Sequence, residues 1–277
     1  MNQFLRLGAV VLLAVTPSLA PVGAQGYSFD VTSSSTDPRS GSAQVLGVSH
    51  GRWEKDVSRI DIIQSPARGG MMGKGTYMIA VGATGITTFV DPTKQQYYEL
   101  NSKEMAAEAA DLQGAMAGVA KMEVVDISVN MEDLGAGETI EGYATWKYRL
   151  TQSYTMRMSI MGHANDTKQH TVSELWIAPA LLGNLNPGSR PAASMNGMMR
   201  ELTETTYKAY AKLKPGAMIR MINTSTSGDG AKARNHVTTM NVSNFKRESF
   251  SANIFQVPSG FKKIDSPFEA LNAGKKP

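Results

Sequence analysis

Short segments in which apolar and polar residues alternate, separated by turn sequences, occupy most of this chain. Tyr27-Ser-Phe-Asp-Val31 is the first of them, and such alternation is typical of a β-strand with one buried face. Gly82-Ala-Thr-Gly85 and Asp91-Pro-Thr-Lys94 are typical turns between strands, and Ser227-Gly-Asp-Gly230 indicates a hairpin. Because no regular strand–helix–strand rhythm accompanies them, the strands are expected to pair in an antiparallel sheet.

The extended segments fall into two groups after the first strand. Those of the first group are Ala43–His50, Ser58–Gln64, Thr76–Val81, Ile86–Val90 and Gln95–Leu100. Those of the second group are Ser128–Met131, Glu138–Gln152, Thr155–Met161, Gln169–Ala178, Ala217–Thr226 and Ala233–Phe245. Gly142 falls within a predicted strand, where a glycine usually marks a bulge or a close backbone approach. We interpret it as a bulge that bends the sheet, and the alternative is a gap that lets a ligand lie against the sheet.

Two amphipathic helices are expected between the strands. The first runs from about Ser102 to Lys121 and is preceded by the capping residue Asn101. The second runs from about Met195 to Leu213, with Ser194 as its cap. The apolar stripes consist of Met105, Ala109, Leu112, Met116 and Val119 in the first helix, and of Met195, Met198, Met199, Leu202, Thr206, Ala209 and Leu213 in the second. The predicted fold class is therefore α+β, an antiparallel sheet with two helices packed on it.

The N-terminal residues have the pattern of a cleavable export signal. A basic start, Met1–Arg6, precedes the apolar run Leu7–Val15, which is too short to span a bilayer, and Val22-Gly-Ala24 supplies small residues for cleavage. No cysteine follows that could carry a lipid anchor. We therefore expect a signal peptide over residues 1–24, a periplasmic domain over 25–264 with no membrane-spanning segment, and a C-terminal tail over 265–277.

Composition excludes several classes of function. The net charge of +4 is small for 277 residues, and no segment concentrates Lys and Arg, so a nucleic-acid partner is not expected. The chain contains no cysteine, which excludes disulfides and thiol catalysis and leaves stability to the burial of apolar surface. No cofactor motif is present, and we expect none to be bound.

The residues that usually carry catalysis or bind metals show no recognisable spacing. The four histidines, His50, His163, His170 and His236, lie in separate segments, and no Gly-x-Ser-x-Gly motif occurs. We therefore predict no catalytic and no metal site. A hydrolase whose serine, histidine and acid meet only in the fold is left as an alternative. A copper(I) site that combines Met156 and Met158 with Met161 and His163 is opposed by strand alternation, which places the two pairs on different faces.

Three segments resemble an uncharacterised bacterial exported family that is placed near the LolA/LolB lipoprotein carriers. They are Gly137-Glu-Thr-Ile-Glu-Gly-Tyr-Ala-Thr-Trp-Lys-Tyr-Arg-Leu150, Val172-Ser-Glu-Leu-Trp-Ile-Ala178 and Phe255-Gln-Val-Pro-Ser-Gly-Phe-Lys262. The resemblance implies a strongly curved antiparallel sheet, a half-barrel, with its helices on the concave face above an apolar cavity. It also implies a non-enzymatic carrier of a lipid or acyl chain. No carrier's ligand residues match one by one, so the cargo is not carried over with the fold.

Methionine is abundant, with 17 residues, and supplies much of a possible ligand surface. Met156 and Met158 share one face of a predicted strand, as do Trp146, Tyr148 and Leu150. The candidate cavity lining is Met105, Leu112, Met116, Trp146, Tyr148, Met156, Met158, Trp176, Met198, Met199 and Leu202. Methionine suits an adaptable apolar surface, but the same residues could form an ordinary packed core. In that alternative the protein is an interaction module of the envelope with a protein partner.

Cationic residues alternate with these apolar ones. Lys147, Arg149 and Arg157 are expected on the opposite face of the sheet, where they are either solvated or contact anionic headgroups or a partner.

Overall fold

The computed structural model describes residues 26–36, 41–65, 73–101, 120–160, 163–181, 199–228 and 233–266. They form one twelve-stranded sheet that is not closed. The strands are β1 Gly26–Thr36, β2 Ala43–Glu54, β3 Val57–Gln64, β4 Tyr77–Val81, β5 Ile86–Asp91, β6 Gln96–Asn101, β7 Ala120–Ala136, β8 Trp146–Ile160, β9 His163–Ala178, β10 Ala217–Ser227, β11 Arg234–Glu248 and β12 Lys262–Lys263. Helix α1 spans Arg200–Tyr210, and a 3-10 turn spans Ala252–Phe255.

The sheet consists of two antiparallel meanders joined side by side. The strand order is β12-β6-β5-β4-β3-β2-β1-β11-β10-β9-β8-β7. Strands β1 to β6 form one meander and β7 to β11 the other, and β1 pairs with β11 so that Val31 lies opposite Val242. Only β12 runs parallel to its neighbour β6. The predicted antiparallel sheet is confirmed, and its two halves are held together by residues far apart in sequence.

The predicted turns after β4 and β5 are confirmed at residues 82–85 and 92–95. Asp91 shows why the second of them forms, because its Oδ1 accepts hydrogen bonds from the backbone N–H groups of Thr93 at 3.0 Å and Lys94 at 3.2 Å. A side chain that pairs with the backbone of the next residues offers the chain a turn in place of a continued strand.

The predicted α+β half-barrel with two amphipathic helices on its concave face is wrong. In the described part of the chain α1 is the single α-helix, and the remainder is dominated by one open sheet. Ala120 and Lys121, expected to end the first helix, already belong to β7, and the rest of that prediction lies outside the described residues. Strand β7 is 17 residues long, whereas the sequence pattern identified only its middle. Two bulges, between Val125 and Ser128 and between Asp133 and Gly135, interrupt the alternation there.

Helix α1 is shorter than the predicted helix over 195–213. It begins at Arg200, and its N-cap residue, Met199, makes no capping hydrogen bond through its side chain. Glu201 in the first turn and Lys208 in the last turn complement the helix dipole. The expected cap Ser194 and the residues up to 198 lie outside the described part. Leu213, expected as the last helical residue, lies beyond the helix, close to Pro215, which cannot continue it.

The predicted strand Glu138–Gln152 is wrong in its first half. Residues 137–145 contain a tight turn in which Ile140 and Tyr143 exchange backbone hydrogen bonds of 3.0 and 2.8 Å. Glu141 and Gly142 at its centre have φ of 52° and 80°, the signature of a type I′ turn. Gly142 is therefore a turn residue and not a bulge. The remainder of the prediction and the predicted strand Thr155–Met161 form the single long strand β8, which ends at Ile160, and Met161 lies outside the described residues.

Candidate functional site

The register of the sheet places methionines from distant strands on one surface. Residues directly opposite each other in neighbouring strands share a face, as do residues two apart along a strand. Traced in this way across the sheet, every methionine whose side chain is described on a strand lies on the same side. These residues, which define the methionine face, are Met78, Met131, Met156, Met158, Met218, Met221 and Met240.

The methionine face is buried in its centre and partly open elsewhere. Beneath α1, Leu150 and Met218 are each 1% exposed, and Leu175 is fully buried. Helix α1 adds Ala209 to this cluster, and Gln152 on β8 donates a hydrogen bond of 2.7 Å to Thr206 on the helix. Toward the end of β8 Met158 is 39% exposed. The face therefore changes from packed core to accessible apolar surface along a single strand.

Four of the predicted site residues lie together on the methionine face. Alternation predicted that Trp146 shares a face with Tyr148, and Met156 with Met158, on two separate strands; the single strand β8 places all four at even positions of one face. Tyr148 is 2% exposed, and its hydroxyl accepts a hydrogen bond from the backbone N–H of Lys214 at 3.2 Å. It is thus part of the core rather than an accessible lining residue.

The other predicted site residues are placed differently. Leu202 is buried on α1, and Met199 lies at the start of that helix. Trp176 lies opposite Lys147 and belongs to the other face of the sheet, where the Lys147 ammonium is 4.5 Å from its ring centre. It therefore does not join the remaining residues. Met105, Leu112, Met116 and Met198 lie outside the described residues.

The opposite face of strands β7 to β9, which we call the charged face, carries the cations expected there together with acidic partners. Arg157 pairs with Asp166 at 3.0 Å, Arg149 with Glu132 at 3.4 Å and with Glu174 at 3.2 Å, and Lys147 with Glu174 at 3.1 Å. Partial burial raises the pKa of Glu174, but hydrogen bonds from Lys147 and Arg149 outweigh it and hold this pKa below its usual value. The cations are thus neutralised, and they do not form a uniformly positive strip.

The components of a serine–histidine–acid arrangement lie on separate strand pairs. Ser153 Oγ is 2.8 Å from His170 Nδ1 across β8 and β9, whereas His50 Nδ1 is 2.7 Å from Asp30 Oδ1 across β2 and β1. The structure therefore brings a serine to one histidine and a carboxylate to another. No cluster of three or more His, Asp or Glu side chains suited to a metal ion occurs among the residues that the structure describes.

A small pocket lies beside the C-terminal segment, at the edge of the sheet where β4 and β6 begin and β5 ends. Its volume is about 120 Å³. It is lined by Thr76, Tyr77, Phe89, Val90, Asp91, Lys94, Gln96, Tyr97, Tyr98 and Ile264. The hydroxyls of Tyr77 and Tyr98 are buried, and neither finds a hydrogen-bond partner among the described residues. Burial raises the pKa of both phenols, so they remain protonated donors at neutral pH.

Sequence reasoning missed this pocket. The signal that could have indicated it is the pair of aromatic positions, Phe89 and Tyr98, on either side of the turn at Asp91-Pro-Thr-Lys94. In a short hairpin such positions lie opposite each other, and here the rings stack with their centres 4.9 Å apart.

No helix in the described part of the chain is both long enough and apolar enough to span a membrane.

Comparison with known proteins gives no assignment. No family model and no curated protein matches the chain. It is similar to the solved structure of PNGF-II with 8% identity and a TM-score of 0.36, over 91% of this chain and 32% of that one. It is also similar to Ail, the attachment invasion locus protein of Yersinia pestis, with 6% identity and a TM-score of 0.16, over 81% of this chain and 99% of that one. The chain thus spans about a third of PNGF-II, and these values assign neither a fold family nor a function.

Proposed function

We propose that this protein is a periplasmic, non-enzymatic binding protein whose methionine face holds a lipid acyl chain or a similarly hydrophobic ligand. The observation that carries the proposal is the gathering of the methionines on one face of the sheet. Methionine has an unbranched, polarizable side chain that adapts to ligands of varied shape. The N-terminal sequence, with its basic start, apolar run and small residues before Gln25, supports export to the periplasm.

The contrast between the two faces supports a hydrophobic ligand. On the charged face, the side chains of Lys147, Arg149 and Arg157 pair with carboxylates, so their charges need no further partner. On the methionine face, by contrast, the apolar side chain of Met158 at the end of β8 is 39% exposed to water. Each methylene group of a chain that becomes fully buried contributes about 0.8 kcal/mol, and a partly covered group contributes less. A chain laid along several methionines would therefore bind with useful affinity.

The alternative, an envelope interaction module with a fully packed core, predicts a methionine face without accessible side chains. The exposure of Met158 and the partial exposure of Met156, Met221 and Met240 favour the binding protein. The pocket of about 120 Å³ is too small to hold a whole acyl chain, so the chain would lie along the sheet surface rather than inside that pocket.

The proposal is tested with the purified protein and a fluorescent fatty acid. We expect native mass spectrometry to detect copurifying lipid, and we expect the double substitution Met156→Glu and Met158→Glu to abolish binding of the fluorescent probe. Arg157→Gln, which changes the residue between them on the charged face, is the matched control and should bind normally. Absence of copurifying lipid together with absence of probe binding to the unmodified protein would overturn the proposal.

A further inference from the structure

The far end of β8 extends beyond the region where the methionine face is packed. Strand β10 stops pairing with β9 where Ser227 lies opposite Gln169, whereas Met158 lies opposite Asn165, further along β9. Helix α1 is hydrogen-bonded to β8 at Gln152, which precedes Met158 by about 20 Å of extended strand. The exposure of the Met158 side chain agrees with this position.

The accessibility of the thioether sulfur therefore differs sharply between two methionines of the same face. Met158 is exposed, whereas Met218 is buried in the cluster beneath α1. An oxidant dissolved in water reaches Met158 in the folded protein, but it reaches the sulfur of Met218 only when the core opens. The chain contains no cysteine that would compete for the same oxidant.

A peroxide converts methionine to its sulfoxide in one two-electron step. A lone pair of the thioether sulfur attacks one peroxide oxygen, so that an S–O bond forms and the O–O bond breaks. The hydrogen of the transferred oxygen passes to the other oxygen, which leaves as water when the oxidant is hydrogen peroxide. Sulfur is oxidised by two electrons and the peroxide is reduced by two. The product is polar, and it disrupts apolar contacts that the thioether would make.

The register gives the sulfoxide of Met158 a hydrogen-bond donor at the protein surface. Asn165 lies directly opposite Met158 on the same face of the sheet, and it is exposed. Directly opposite residues of neighbouring strands have Cβ atoms about 4.5–5.5 Å apart, which brings the Asn165 amide within reach of an oxygen on the Met158 sulfur. Because this end of β8 is distant from the packed cluster, oxidation here changes the surface of the methionine face and leaves the core intact.

We propose that Met158 is a site of reversible oxidation by peroxides, and that its sulfoxide switches off the binding of a hydrophobic ligand to the methionine face. Reversal is the chemistry of a methionine sulfoxide reductase, which returns the sulfoxide to the thioether. The selectivity for Met158 depends on its exposure alone. The effect on binding rests on the proposed function, since it requires that the ligand contacts this end of the face.

The site is tested by treating the purified protein with dilute hydrogen peroxide and following each methionine-containing peptide by mass spectrometry. We expect Met158 to gain oxygen at least about tenfold faster than Met218, because only the latter must wait for the core to open. Equal rates at the two positions would refute the oxidation site.

The switch is tested by titrating the fluorescent fatty acid before and after the peroxide dose that oxidises Met158. Oxidation should weaken binding about tenfold, since a polar sulfoxide must lose water beneath an apolar chain, and a methionine sulfoxide reductase should restore the affinity. Met158→Leu should bind equally well before and after peroxide. Met78→Leu, which removes a methionine of the same face on β4, is the matched control and should lose affinity after peroxide as the unmodified protein does. If Met158→Leu also loses affinity after peroxide, Met158 is not the switch.

A second variant and the untreated protein separate the two proposals. Met158→Gln places a polar side chain of similar length at the same position, and it should bind the probe weakly without any peroxide, while circular dichroism shows an intact fold. If the untreated protein binds the probe but its oxidised form and Met158→Gln bind equally well, the switch is refuted and the proposed function stands. If the untreated protein does not bind the probe, the proposed function and the switch both fail, and the mass spectrometry alone decides the oxidation site.

Discussion

Met221 on β10 and Met240 on β11 lie directly opposite each other, both half-buried, at the middle of the methionine face. They connect the packed region beneath α1 with the first meander, because Met240 also lies opposite Ser33 on β1. In a rigid core this central position is usually filled by branched side chains with few rotamers. Two flexible thioethers here leave the centre of the face adaptable.

Replacing both residues, Met221→Leu and Met240→Leu, should preserve the fold and narrow the range of ligands. The change nearly conserves volume, so we expect the free energy of unfolding to fall by less than about 1.5 kcal/mol. Leucine has fewer accessible rotamers, and we expect the double variant to discriminate more sharply among fatty acids of different chain length. Urea unfolding and titration with a series of fatty acids measure the two effects. Equal discrimination by the variant and the unmodified protein would contradict an adaptable face.

Stability should respond very differently to the same substitution at two methionines of that face. Met218 is 1% exposed and packs against Tyr148 and Leu150, so Met218→Ala should cost about 2–5 kcal/mol. Met158 is 39% exposed, and Met158→Ala should cost less than about 1 kcal/mol. Urea unfolding at neutral pH measures both values. A similar loss at the two positions would show that the end of β8 is covered as fully as its centre.

The alternation of apolar and polar residues predicted most of the strands, and it predicted that Trp146 and Tyr148 share one face of a strand. Both follow from the two-residue period of a strand, which is a local property of the sequence. It could not place Trp176 relative to Trp146, since that depends on the register between β8 and β9. The two meanders join where β1 pairs with β11. These strands are far apart in sequence, so no local sequence pattern indicates that they pair. At Gly142 the residue type was informative, but a bulge and a type I′ turn both favour glycine, and only the hydrogen bonds between Ile140 and Tyr143 distinguish them.

The tight turn between β7 and β8 should be sensitive to the residue types at its centre. Gly142 has φ of 80°, and Gly142→Ala should lower the free energy of unfolding by about 1 kcal/mol, because a Cβ is disfavoured there. Nothing lies within 4 Å of the position such a Cβ would take, so a loss would report on backbone conformation alone. Glu141, with φ of 52°, is a suboptimal residue, and Glu141→Asn should raise stability.

Both substitutions in this turn are measured by urea unfolding. Gly73→Ala, at another glycine with open space around its Cβ position but without a positive φ, serves as the control and should change stability little. If Gly142→Ala were as stable as the unmodified protein, the type I′ assignment would be wrong.

The hydrogen bond between His50 Nδ1 and Asp30 Oδ1, at 2.7 Å, should make folding sensitive to acid. This bond, aided by Asn244 Nδ2 at 2.8 Å from Asp30 Oδ2, holds the pKa of Asp30 below its ordinary value of 3.8. As the pH falls, the unfolded chain therefore binds the proton at this carboxyl first. The contribution of Asp30 to stability is present above about pH 4 and is lost as the pH decreases through the lowered pKa of the folded state.

Asp30→Asn isolates this contribution because the amide has nearly the same shape and carries no charge. At pH 7 the variant should be less stable than the unmodified protein, and the difference should shrink as the pH falls below about 4, where the carboxylate of the unmodified protein becomes protonated. Urea midpoints measured for both proteins from pH 7 to the most acidic pH at which they fold give the comparison. If the difference in stability between the variant and the unmodified protein stays constant over this range, His50 and Asp30 interact without favouring the ionised form of the Asp30 carboxylate.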